Sequence, residues 1–241
     1  MILRDISFDR PEENILFDEV LLQLAEEGLS DEVLRLWESP SYFVVLGRIG
    51  RADEDVKQMN VKENRIPVLR RSSGGGTVLQ GPGCLNYSLI LSKESHPAIA
   101  DLKKSYQHIL GKVVNALSNE GIIADYLPIS DIVLKSSLRK FSGNAQKRGK
   151  KFILHHGTIL YDFDLKLVEE YLLMPKDMPE YRKHRGHLEF VTNISVDAVK
   201  IKEAMAREFN AQPSTEGLAV QEKERMQKLV DGNKTILLVN H

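Results

Sequence analysis

Apolar positions in this chain recur at helical spacing in some stretches and run together in others, and the two patterns mark the elements. Ile2 to Phe8 reads as a first strand. Pro11 opens a helix whose apolar residues Leu16, Val20, Leu21 and Leu24 are separated by acidic ones, and Gly28 ends it. Val33 to Trp37 is apolar apart from Arg35 at its centre, and Tyr42 to Leu46 is continuously apolar. Ser39, Pro40 and Ser41 between them predict a turn, and so a hairpin or two adjacent strands. A polar helical segment from Asp53 to Glu63 leads to a strand at Ile66 to Leu69, a glycine loop, and a buried strand at Leu85 to Leu91. The clearest helix follows, with Leu102, Tyr106, Ile109, Leu110, Val113, Val114 and Leu117 on one stripe and Gly121 beyond its end.

The second half returns to strands at Asp131 to Leu134, Arg139 to Gln146 and Phe152 to Tyr161, then to short helices at Leu165 to Leu172 and Val196 to Phe209. Met174 to Asn193, with Pro175, Pro179 and many charges, reads as an ordered excursion over the surface. From Gln212 the pattern is a polar segment, a helix at Glu222 to Leu229 and a short apolar tail at Ile236 to Val239. Strands and helices mix without βαβ alternation, which predicts an α+β fold with a mixed, largely antiparallel sheet flanked by helices. No linker divides the chain, so residues 1–241 are expected to form one domain with 212–241 as a short tail.

Composition excludes several classes. A formal net charge of −1 gives no global field to draw in nucleic acid or a membrane surface, so anion recognition must be local. Cys84 is the single cysteine, which excludes an internal disulfide and a cysteine-based zinc site. Met1 to Arg10 carries Arg4, Asp5 and Asp9 with no apolar run, unlike a signal peptide, and no stretch approaches the ~20 apolar residues of a membrane span. The expected location is cytoplasmic.

Two segments carry candidate chemistry. In Arg70-Arg71-Ser72-Ser73-Gly74-Gly75-Gly76-Thr77-Val78, three glycines let the backbone approach a ligand and offer a concavity of N–H groups to phosphate or carboxylate oxygens. The preceding arginines add forked donors. The loop is neither a P-loop nor a GxGxxG turn. The second segment is a basic island of Lys135, Arg139, Lys140, Lys147, Arg148, Lys150 and Lys151 without an acid. Within it Lys140 precedes Phe141, Ser142, Gly143, Asn144, Ala145 and Gln146, small and amide residues that leave room for a ligand beside a cation. His155 and His156 are adjacent on a strand and face opposite sides, so at most one lines a pocket.

These segments, with Leu85-Asn86-Tyr87-Ser88 and His156-Gly157-Thr158-Ile159-Leu160, resemble in order and spacing the catalytic domain of lipoate-protein ligases, over roughly residues 1 to 210. That family belongs to the biotin and lipoate ligase superfamily, with a fold akin to class II aminoacyl-tRNA synthetases. The resemblance implies that lipoate attacks the α-phosphate of ATP, brought with Mg²⁺, to give lipoyl-AMP. An acceptor lysine then takes the lipoyl group. By the same resemblance Lys140 bridges phosphate and acyl oxygens. The adenylate falls to Arg71 and the N–H groups of Gly75, Gly76, Thr77 and Val78, with Arg70, Ser72, Asn86, Asp131, Ser142, Gly143 and His156 completing the binding set. No residue is assigned to a metal. Expected acceptors are a lipoyl domain of a 2-oxoacid dehydrogenase, a glycine-cleavage H protein or another lipoyl carrier.

The chain also departs from the family. Gln80 and Gly81 stand where many members have His-Asp, and only a short tail stands in place of an accessory domain that some members carry as a separate chain needed for adenylation. Two alternatives stay open on this reading. One is an octanoyltransferase using an acyl-carrier donor and a cysteine, for which Cys84 in the Gly-Pro-Gly-Cys turn is the only candidate. The other is a non-catalytic lipoyl-binding protein.

Overall fold

A computed structural model describes residues 1–128, 130–214 and 217–232; the apolar tail at Ile236 to Val239 lies outside the described residues. In chain order the first half runs β1 (Ile2–Asp5), α1 (Pro11–Glu26), β2 (Val33–Trp37), β3 (Phe43–Leu46), α2 (Ala52–Asp55), α3 (Gln58–Glu63), β4 (Val68–Arg70), β5 (Val78–Gln80), β6 (Cys84–Ser92) and α4 (Leu102–Ser118). The second half runs β7 (Ala124–Leu127), β8 (Asp131–Leu134), β9 (Lys140–Arg148), β10 (Phe152–Leu160), α5 (Lys166–Tyr171), α6 (His187–Phe190), α7 (Ala198–Glu208), β11 (Gln212–Pro213) and α8 (Val220–Asp231). The expected α+β class is met, and no described helix is long and apolar enough to cross a membrane.

Eight strands form one sheet in the order β11-β1-β2-β6-β10-β9-β8-β7, parallel only where β1 meets β2 and β11. Side chains alternate across it, so each face has its own core. On one face Leu34, Leu36, Tyr87, Leu89 and Phe141 bury against α4 and α7. On the other the cross-strand row Val33, Ile90 and Leu154 packs under α1, with Met226 of α8 in the same cluster. The acidic residues of the helical stripe in α1 include one, Asp18, that is buried.

The structure corrects the expected pairing of Val33–Trp37 with Tyr42–Leu46. β2 lies inside the large sheet, whereas β3 is the centre of a separate three-stranded sheet, β4-β3-β5. Ser39 Oγ donates to the Ser41 carbonyl at 2.8 Å, and Pro40 has no N–H to carry a ladder across this corner. β5, β7 and β11 were not read from the pattern. None of them holds more than two consecutive apolar residues, unlike the equally short β3 and β8, so no apolar run marks them.

Gly81 stands where the resemblance noted above leads to the expectation of an acidic residue. Its φ is +156°, and a Cβ there would lie 2.2 Å from the Tyr42 ring, which stacks edge-on against Phe163 at 5.7 Å. The space of a side chain is filled by Tyr42 instead. Gly81→Ala is therefore expected to destabilise the fold by about 1–3 kcal/mol, and Tyr42→Ala in the same chain to relieve part of the clash; chemical denaturation of the single and double variants checks this.

Candidate active site

Between the α1 side of the large sheet and the small sheet lies a cavity of about 860 Å³. Its floor is built from cross-strand neighbours. Trp37 pairs with Asn86, Asn86 with Thr158, and Gly143 with Asp131, while the β9–β10 register sets Gly143 beside Thr158. One residue from each of five adjacent strands thus lies in a single row, and all five line the cavity. The next row is Arg35, Ser88, His156 and Ala145. One end of the cavity is apolar, walled by Ile15, Trp37, Val45 and Val78.

Lys140 reaches the floor because of a bulge. Asp131 pairs with Gly143 and Ile132 with Ser142, but Val133 pairs with Lys140, leaving Phe141 as the extra residue. Strict alternation from Gly143 would turn Lys140 to the opposite face. With the bulge, Phe141 joins the core on the α4 side and Lys140 returns to the cavity. Its ammonium lies 2.7 Å from Asp131 Oδ1, and a Cβ on Gly143 would stand 2.9 Å from Nζ. Asp131 Oδ2 accepts a hydrogen bond from the Tyr181 hydroxyl at 2.6 Å. Burial and the Asp131 charge raise the Tyr181 pKa well above the usual phenol value, so it remains a donor.

The glycine loop is shaped by Arg71. The guanidinium donates to the Gly74 carbonyl at 2.6 Å, the Gly76 carbonyl at 2.8 Å and Ser73 Oγ at 3.1 Å. Across a planar trans peptide the N–H of the next residue points the opposite way, so the N–H groups of Gly75 and Thr77 turn away from the arginine. Neither has a protein acceptor among the described residues. Arg71 is buried, its pKa drawn down to about 10 by that burial, and still charged at neutral pH. No carboxylate pairs with it among the described residues. A buried cation without a counter-ion is costly, and an anion in the cavity would offset that cost.

A second network ties α1 to this loop. Arg35, fully buried, donates to Asp18 Oδ1 at 2.7 Å and to the side-chain and main-chain oxygens of Asn14 at 2.9 and 2.7 Å. Asp18 Oδ2 accepts from Ser88 Oγ at 2.6 Å and faces His156 Nδ1 at 3.4 Å, and His156 Nε2 meets Ser73 Oγ at 2.6 Å. Burial by itself would raise the Asp18 carboxyl, but Arg35, His156 and Ser88 together hold it below the ordinary carboxylate range. An acceptor-only Asp18 calls for an N–H on His156 Nδ1, and Nε2 lies against Ser73 Oγ, which accepts from Arg71 Nε at 3.1 Å.

Of the residues singled out in the sequence, Lys140, Arg71, Gly75, Gly76, Thr77, Val78, Asn86, Asp131, Ser142, Gly143 and His156 all line the cavity. Arg70 and Ser72 do not: Arg70 donates to the carbonyls of Gly47, Arg48 and Gly50 and pins that turn beside the loop. His155 is on the opposite face, stacked on Tyr87 with its pKa pushed down to about 3 by burial. The Met174 to Asn193 segment does more than cross the surface. Thr192 N–H bonds the Lys140 carbonyl at 2.8 Å, and Tyr181, Arg182, His187 and Phe190 wall the cavity. Asp18, Arg35, Tyr181 and the Asp55 carboxylate that accepts from Thr77 Oγ1 at 2.7 Å were missed. For Arg35 a signal existed, a charge at the centre of an apolar strand; Tyr181 carried none.

Comparison with known proteins places this geometry. The bipartite lipoate protein ligase of Thermoplasma acidophilum superposes with a TM-score of 0.80 at 21% identity, covering 95% of this chain and 91% of that one, which establishes a shared fold. Lipoate-protein ligase LplJ of Bacillus subtilis is 34% identical over 152 residues, 63% of this chain and 44% of that protein. An octanoyltransferase LipM of Brevibacillus brevis is 26% identical over 231 residues, 87% of this chain and 80% of that one. The chain spans a third to a half of the length of the curated ligases it first matches. The profile of the lipoyl protein ligase A/B catalytic domain matches residues 10–210, a span that contains every wall of the cavity, and on that match the chain belongs to this family.

Proposed function

We propose that this chain is an ATP-dependent lipoate ligase that forms lipoyl-AMP and transfers the lipoyl group to a lysine of an acceptor lipoyl domain. The observation that carries the reading is Arg71, a buried guanidinium without a carboxylate partner among the described residues. It sits beside unpartnered loop N–H groups in a cavity whose other end is apolar. Such a cavity suits an anion joined to an apolar chain, which is what an acyl adenylate is. Solved relatives of this fold have been obtained with bound ATP and with bound lipoic acid, and the Thermoplasma system pairs its ligase with an E2 lipoyl domain.

In the first step a carboxylate oxygen bonds to the α-phosphorus and pyrophosphate departs; the loop N–H groups and Lys140 would meet the charge that builds on phosphate oxygens. In the second the acceptor amine bonds to the acyl carbon, AMP leaves, and Lys140 would polarise the carbonyl. Magnesium would enter on the triphosphate, held by phosphates, water and one or two carboxylates, and Asp55, Asp131 and Asp177 on the cavity wall offer such donors. A cytoplasmic location and a single catalytic domain, complemented by an accessory chain if adenylation requires one, belong to the same reading.

The octanoyltransferase relatives suggest a cysteine route instead. Cys84 does not support it: the thiol is fully buried, does not line the cavity, donates to Gln80 Oε1 at 3.2 Å, and is pushed well above the usual thiol range by burial and nearby Glu38. The filling of the Gly81 space by Tyr42 makes that departure a packing exchange, which weakens the non-catalytic reading.

The test is a mass-shift assay of a purified lipoyl domain with this protein, lipoate and Mg²⁺, given ATP or synthetic lipoyl-AMP. A lipoyl shift with ATP establishes the ligase; a shift with lipoyl-AMP alone establishes transfer and a need for a second chain in adenylation. No shift with either rejects the reading for that acceptor. Gly143→Ala gives a finer check. Its methyl meets the mobile end of Lys140, so the fold is expected to hold within about 1 kcal/mol while transfer falls at least about tenfold as the ammonium is displaced.

A further inference from the structure

On the face of the small sheet that walls the apolar end, Phe43, Val45, Leu69 and Val78 pack with Ile15 and Trp37. Gln80 is the register partner of Phe43 and lies two residues from Val78, so it shares that face as a polar side chain among apolar ones. It is 5% exposed and lines the cavity. The Cys84 S–H donates to its Oε1 at 3.2 Å. The amide oxygen faces the thiol, and the NH₂ has no protein acceptor among the described residues. That NH₂ is also not sealed among packed atoms, since it is absent from the fully buried, partnerless groups of the protein. The accessible space beside so buried a residue is the cavity.

A buried amide in an apolar wall, with its donors held toward a ligand space, is poorly explained by packing. We infer that Gln80 selects among acyl substrates, favouring a chain that presents a hydrogen-bond acceptor as it passes, such as the ring sulfurs of lipoate, over the saturated chain of octanoate. The inference rests on the reading above that the apolar end holds the acyl chain. A plain alkyl chain would strip water from the two N–H groups and leave them unpaired, whereas sulfur, though a weak acceptor, pairs at least one. Cys84 is a positioning residue for this amide, and its raised pKa keeps the thiol protonated and able to donate.

Calorimetric titration of the full chain with lipoate and with octanoate tests this. The unaltered protein is expected to bind lipoate more tightly by roughly three- to tenfold, the range of one net hydrogen bond. In Gln80→Leu the ratio should collapse toward one, chiefly because octanoate gains, and the near-isosteric Gln80→Met should behave alike if the leucine variant folds poorly. Cys84→Ser, which keeps a donor, should preserve the ratio, and Cys84→Ala should erode it. A ratio unmoved in both Gln80 variants while both acids bind overturns the inference and leaves the ligase reading standing. Failure of the unaltered protein to bind either acid overturns the inference, and the mass-shift assay with ATP and with lipoyl-AMP decides the ligase reading separately.

Discussion

Lys140→Ala is expected to slow lipoyl transfer by about 10²–10³-fold, the scale of losing one preorganised cation at a developing charge, while the melting temperature moves by no more than a few degrees. The two halves of that expectation have separate causes. The Lys140–Asp131 pair is partly open to solvent, with a quarter of the lysine side chain exposed, so it contributes little to folding. Asp131 also keeps its hydrogen bond from Tyr181 after the lysine is gone. The chemistry, by contrast, has no other lysine on the cavity wall among the described residues. Lys140→Arg should fail to restore the rate, because a planar guanidinium is larger than the ammonium that Gly143 admits. The mass-shift assay run as a time course, beside thermal unfolding, decides it. A variant within threefold of the parent rate would remove Lys140 from the chemistry.

Arg35→Met is expected to destabilise the protein by about 3–5 kcal/mol at neutral pH, the usual result of removing one partner of a buried pair. Arg35 is enclosed by Phe8, Phe17 and Trp37, with its guanidinium 5.0–5.5 Å from each ring, so methionine can fill the space. What it cannot do is neutralise Asp18. The pH dependence carries the sign. In the parent, Asp18 has a depressed folded pKa, so its contribution is present above the unfolded value and is lost as pH falls through the folded one. Without Arg35, burial dominates and the folded pKa rises above the unfolded value. The penalty is then full at neutral pH and disappears as acid protonates the carboxyl. Urea titrations at pH 7 and pH 4 should therefore show the gap between variant and parent narrowing in acid, and Asp18→Leu added to Arg35→Met should recover part of the loss at pH 7. A gap independent of pH would mean that lost packing, not stranded charge, sets the cost.

How much of this was legible beforehand differs by element. α1 and α4 could be read because their stripes are long and their ends carry Pro11, Gly28 and Gly121. The buried strands β6 and β10 could be read as apolar runs. Pairing could not: nothing local in Val33–Trp37 and Tyr42–Leu46 says that they enter different sheets, since that depends on partners far along the chain. The same limit applied at the site. Glycines 74–76 and Lys140 announced themselves by residue type, but the bulge at Phe141 that aims the lysine is a property of the β8–β9 register. Arg71 was legible as a residue of the cavity, but its engagement with the Gly74 and Gly76 carbonyls, which shapes the loop, was not. Tyr181 stands in a segment of no periodicity and acquires meaning only by lying against Asp131.

The row Trp37, Asn86, Thr158, Gly143 and Asp131 has a kinetic consequence. Neighbours in space along the row are separated by 12 to 72 residues in the chain, and each comes from a different strand. A sheet missing any of β2, β6, β8, β9 or β10 lacks one of them, so no folding intermediate without one of these strands can present the complete floor. Closing such distant pairings is the slow part of folding a sheet of high contact order. Recovery of ligand affinity during refolding should thus trail the recovery of helix signal from α1 and α4, whose backbone hydrogen bonds are local, and coincide with the pairing of the last of these five strands.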